Sequence, residues 1–106
     1  MFFGHHFDNS LIESQLLFES DARQHANQLA QIMREHKIDG PVSIGKIINK
    51  TADKSSSIKN FVNKNWKDPI NQTMIIETFK RCEIDIYELP NKEKRIRLIR
   101  PNQRNI

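Results

Sequence analysis

Apolar residues recur along this chain at two periods, about 3.6 residues as far as Cys82 and 2 residues beyond it. Residues 1–8 read as an irregular lead-in. Asn9 or Ser10 can cap a helix through Glu19 that carries Leu11, Ile12, Leu16, Leu17 and Phe18. Ser20-Asp21 offers a second cap. From there Ala22, Ala26, Leu29, Ala30, Ile32 and Met33 share one helical face, with Gln24, Asn27, Gln31 and Glu35 opposite. Leu11 and Phe18 continue that stripe backwards, so one long helix with a joint near Ser20 fits the same pattern. Asp39-Gly40-Pro41 ends it, Gly40 supplying the C-terminal cap and Pro41 barring continuation.

Ser43 can cap a short helix from Ile44 to about Ala52, with Ile44, Ile47 and Ile48 inward and Lys46, Asn49 and Lys50 outward. Asp53-Lys54-Ser55-Ser56 reads as a turn. A helix over Ser57–Lys67 follows, burying Ile58, Phe61, Val62 and Trp66. Asp68-Pro69 breaks the run, since proline disfavours helical geometry in the residue before it. Ile70–Arg81 forms the next helix, with Ile75, Ile76, Phe79 and Cys82 on one face.

The period then shortens. Ile84 and Ile86 alternate with Asp85 and Tyr87, and Ile96 and Leu98 with Arg95 and Arg97, around a Pro90-Asn91 turn. Pairing Ile84 with Leu98 and Ile86 with Ile96 puts Asp85 opposite Arg97, a register in which hydrophobic faces and charges agree. The pattern predicts an α+β, mainly helical chain: a winged-helix-like bundle of four to five helices with a C-terminal β-hairpin. Its parts are an N-terminal arm or helix for packing or dimerisation (1–20), the domain proper (21–100) and a flexible polar tail (101–106).

At 106 residues the chain is one domain. Hydrophobic residues make up 37% and charged residues 28%, which is polar but globular. Cys82 is the sole cysteine, so no internal disulfide forms, and a reducing compartment is the simpler expectation. No apolar run nears the roughly 20 residues of a membrane span. The start, Met1-Phe2-Phe3-Gly4-His5-His6, lacks the layout of a secretory signal. A cytoplasmic or nuclear protein is the expectation.

Charge changes the picture more. From Pro41 onward fourteen Lys and Arg stand against seven acids, whereas the first forty residues hold three against six. A basic surface on so small a fold points to a polyanionic partner, usually nucleic acid, DNA or RNA. Two elements carry it. The paired short helices form a helix-turn-helix whose second member presents Asn60 and Asn63 for adenine edges, with Lys59, Lys64 and Lys67 for guanine edges or phosphates. The hairpin gathers Lys92, Lys94, Arg95, Arg97 and Arg100 at its tip and return strand. Phosphate anchoring falls to Lys46, Lys50, Lys94, Arg95 and Arg97. A solvated helix face and a charge-protected edge strand would give the same residues.

The turn Gly40-Pro41-Val42-Ser43, the apolar short helix Ile44/Ile47/Ile48, and Met74-Ile75-Ile76-Glu77-Thr78-Phe79 leading into Ile84-Asp85-Ile86 together resemble a winged helix-turn-helix. Within that superfamily, Ala22 to Ile99 loosely resembles the LOTUS (OST-HTH) domain. The resemblance implies RNA binding or docking of a partner protein such as a helicase. The chain has Pro69-Ile70-Asn71-Gln72 where such domains often carry a glycine-aromatic step, and no functional residue is carried over.

His5-His6 with His25 or His36 match no zinc-ligand spacing, and the acids are scattered without a nucleophile and base beside them. No enzyme, cofactor or metal is expected. The rival function is a protein-interaction module or small adaptor, possibly a homodimer, built on the apolar excess of Leu11, Ile12, Leu16, Leu17 and Phe18.

Overall fold

A computed structural model of the chain describes the backbone of residues 2–51 and 53–99 and the side chains of residues 12–47 and 56–99. Helix α1 spans Phe2–Glu35 without interruption. The expected lead-in over 1–8 is thus helical from Phe2, and the joint at Ser20 is absent. No proline occurs before Pro41, and the solitary Gly4 is tolerated at a cost of about 1 kcal/mol. Ser20 and Asp21 are exposed, so neither leaves a buried polar group inside the helix. Among the described side chains burial starts near Phe18. Ala22, Ala26, Leu29, Ala30 and Met33 are buried, while Ile12, Leu16 and Leu17 are exposed.

The end of α1 differs from expectation. Lys37, not Gly40, supplies the left-handed residue of the cap, at φ 55. Its N–H donates to Arg34 O (3.2 Å) and that of Ile38 donates to Met33 O (2.8 Å). This pair of bonds is a Schellman cap, with Ile38 folded back onto the core as the motif requires.

Gly40 has another task. At φ 83 it lies against the strand that follows much later, and Asp39 O accepts from Leu98 N at 2.8 Å. That contact starts β1 (Val42–Ser43), which pairs antiparallel with β3 (Lys94–Leu98) through Val42↔Ile96 and Ser43↔Arg95. Strand β2 (Ile84–Glu88) pairs with the other side of β3 in the register the alternation predicts. The sheet has three strands in the order β1-β3-β2, not the bare hairpin expected. Two residues are too few for an alternation to show β1 in the sequence.

Helix α2 is Ile44–Thr51 and α3 is Asp53–Asn65. The expected turn Asp53–Ser56 therefore lies within α3. An acidic residue at a helix start complements the dipole, so this segment suits a first turn as well as a loop. Helix α4 is Pro69–Arg81, with the Asp68 side chain accepting from Ile70 N at 2.9 Å and Pro69 opening the helix. Asp68-Pro69 is thus a cap as much as a break.

Among the described residues the chain is α+β and mostly helical, with four helices and one small antiparallel sheet. The core joins α1 to Ile44, Ile47, Ile58, Val62, Ile75 and Phe79 of the other helices and to Ile84, Ile86 and Ile96 of the sheet. Each such side chain contributes about 1.5–3 kcal/mol on burial. His25 joins this packing: its ring stacks on Phe61 at 4.2 Å, Phe61 stacks on Phe18 at 5.5 Å, and its Nδ1 lies 2.8 Å from Asp21 O. Among the described residues no helix is long and apolar enough to cross a membrane. The tail 101–106 and the His5-His6 side chains lie outside the described residues.

Candidate nucleic-acid interface

Ser43 ends β1 and begins α2 in one step, its Oγ accepting from Lys46 N at 3.4 Å. This brings the start of α2 beside the exposed face of α3 and the β2–β3 loop. A groove runs between them, lined by Ser43, Gly45, Lys59, Asn63, Lys92 and Lys94 among others. It continues past Asn63, Lys92 and Lys94 into a second hollow of about 420 Å³, bounded by Trp66, Lys67, Gln72 and Glu88.

The loop that closes the groove is tightly determined. Leu89 N–H donates to Glu93 O (2.9 Å), Lys92 N–H to Leu89 O (2.9 Å) and Glu93 N–H to Asn91 Oδ1 (3.0 Å). Lys92 sits at φ 73, where hairpins of this kind usually place glycine. Its side chain lines both parts of the groove.

Of the expected site residues, Lys59, Asn63, Lys67 and Lys94 come together here. Asn60 and Lys64 are half-turned away on α3, about 100° further round than Lys59 and Asn63, and exposed. Lys46 is exposed on α2 without lining the groove, and the side chain of Lys50 lies outside the described residues. Arg95 and Arg97 do not belong to the groove. They project from the opposite face of β3: Arg95 Nε meets Oε2 of Glu93, which itself lines the edge of the groove, at 2.8 Å, and Arg97 Nε meets Asp85 Oδ2 at 3.1 Å.

A run of basic residues in a strand is divided between two faces, because successive side chains alternate. That is why Lys94 and its two neighbours part company. Sequence reasoning placed Lys92 in the hairpin cluster but not among the site residues, and it treated Trp66 as core only. Trp66 lies three residues past Asn63, one helical turn along the same side, which was the available signal.

Lys94 is the most constrained cation of the groove. Its Nζ lies 3.4 Å from Glu88 Oε2 and 5.9 Å from the Trp66 ring centre. Among the described residues no acid pairs with Lys59, Lys67 or Lys92. Among those residues, too, no group of three or more His, Cys, Asp and Glu side chains could hold a metal ion. Cys82 is half-buried: burial pushes its thiol pKa up, and the nearby Arg23 charge pulls it partly back.

Comparison with protein-family models, curated proteins and solved structures gives no match for this chain. The functional reading therefore rests on the groove itself.

Proposed function

We propose that this protein is a non-enzymatic, winged-helix-like nucleic-acid-binding protein that grips its partner along the groove between α3 and the β2–β3 loop. The order α1-β1-α2-α3-α4-β2-β3 supports the winged-helix reading. The observation that carries the function is that Lys59 of α3 and Lys67 just after it line successive parts of one groove, with Lys92 of the β2–β3 loop facing both, and none of the three has an acid partner among the described residues. Lysines on phosphate anchor a strand, and Asn63 between them can read a base edge.

Fluorescence anisotropy with labelled duplex DNA and single-stranded RNA tests this. Three phosphate contacts imply a fall in affinity of roughly 20- to 40-fold between about 50 and 200 mM salt. Binding that ignores salt, or none at micromolar protein, would sink the proposal.

One observation favours a second reading. Ile12, Leu16 and Leu17 on α1 are 51%, 59% and 72% exposed. They precede the stretch of α1 that packs into the core, which suits an interaction surface such as a homodimer contact. Sedimentation at two concentrations decides it: a mass that stays monomeric removes the homodimer.

A further inference from the structure

Trp66 is only 7% exposed, and among the buried side-chain polar atoms of the described residues its Nε1 is the one without a hydrogen-bond partner. Buried donors are almost always paired, so an orphan asks for an acceptor. This one belongs to a residue that lines the groove beside Lys67, Lys92 and Gln72. The indole lacks an acceptor oxygen, and the two lysines lack a negative charge. The Gln72 amide adds a further donor. A phosphoryl group meets every one of these needs, since its oxygens accept from several directions and carry the charge. The hollow, at about 420 Å³, lies within the size range of small-ligand sites, roughly 300–1,000 Å³.

We propose that the hollow bounded by Trp66, Lys67, Gln72 and Lys92 is a phosphate subsite: a nucleic-acid strand laid along the groove turns the Trp66 indole, whose Nε1 has no accessible surface in the unbound chain, so that its N–H donates to a phosphate oxygen. Lys94, already held by Glu88, closes one side and Lys67 and Lys92 supply the charge. The strand as the source of the phosphate rests on the nucleic-acid reading above. The subsite itself rests on the indole and the lysines.

Trp66 is the only tryptophan of the chain, so its emission reports on this hollow directly. The full-length protein is titrated with a labelled single-stranded oligoribonucleotide and, separately, with inorganic phosphate. Label anisotropy and tryptophan emission are followed together. The expected result is an emission change with the same midpoint as the anisotropy change. Trp66→Phe should weaken oligonucleotide binding roughly three- to tenfold, and Lys67→Gln should lower the salt slope by about 0.7. Lys67 is exposed, so that variant keeps the test open should Trp66→Phe fail to fold.

Normal anisotropy binding with silent emission and an unaltered Lys67→Gln variant would overturn the subsite while leaving the nucleic-acid reading intact. Emission that responds to inorganic phosphate while no oligonucleotide binds would uphold the phosphate site and overturn the strand as its source. No response in either channel overturns both.

Discussion

Gly40 presses directly against Ile96: a Cβ built at position 40 would collide with the Ile96 carbonyl oxygen and stand 2.8 Å from Arg97 Cα. Both obstacles are backbone in the middle of the sheet, where neither can step aside. A side chain there is also strained at φ 83. Gly40→Ala should therefore cost about 3 kcal/mol, from left-handed strain plus overpacking. For a domain with about 5–15 kcal/mol to lose, that is a large fraction. Urea unfolding followed by circular dichroism measures it, and an unchanged midpoint would contradict the packing.

Lys92 separates stability from binding. Glycine at its left-handed position relieves about 1 kcal/mol of strain and gives back about 0.5 kcal/mol in chain entropy. Lys92→Gly is thus expected to hold or slightly raise the thermal midpoint. The same change deletes a groove cation, so the salt slope of duplex binding should drop by about 0.9. Calorimetry and salt-dependent anisotropy on one preparation read both.

Arg95 and Arg97 face away from the groove and are engaged by Glu93 and Asp85. Replacing either with Gln should leave oligonucleotide affinity within twofold, whereas Lys59→Gln should weaken it and flatten its salt dependence. Equal losses at all three positions would mean that the partner wraps round the sheet instead of lying along α3. The exposed Asp85–Arg97 pair contributes only about 0.2–1 kcal/mol to stability.

Cys82 should react slowly. Burial favours its protonated thiol, so alkylation by iodoacetamide should need a higher pH than a free cysteine requires. Folding favours the protonated form, so this contribution to stability is intact below the unfolded thiol pKa and is lost as pH rises through the raised folded value. Arg23→Gln removes the opposing charge and should move the alkylation profile further up in pH. A profile that moves down would reverse the assignment.

The sheet register was legible because Ile84, Ile86, Ile96 and Leu98 all demand the same face, and Asp85 and Arg97 then meet without further instruction. The long helix was legible from Ala22 to Met33 for a similar reason. Its cap was not, because a Schellman turn needs only a tolerable left-handed residue followed by an apolar one. Lys37-Ile38 meets that need less conspicuously than Gly40. The groove was half legible. Lys59 and Asn63 follow from one helical face and Lys67 from the turn just after it, but Lys92 enters only when the sheet carries the loop across to α3. Charge counted along the sequence could not foresee that Lys94 and Arg95 would be placed on opposite sides of one strand.

The ring column Phe18–Phe61–His25 sets the rotational phase of α3. Phe61 is clasped between two side chains of α1, and each residue of a helix is committed to one bearing, about 100° from the next. A twist of α3 by even half that angle would pull Phe61 out of the column and swing Lys59 and Asn63 off the hairpin. The aim of the groove is therefore fixed by aromatic rings on the far side of the helix that lines it.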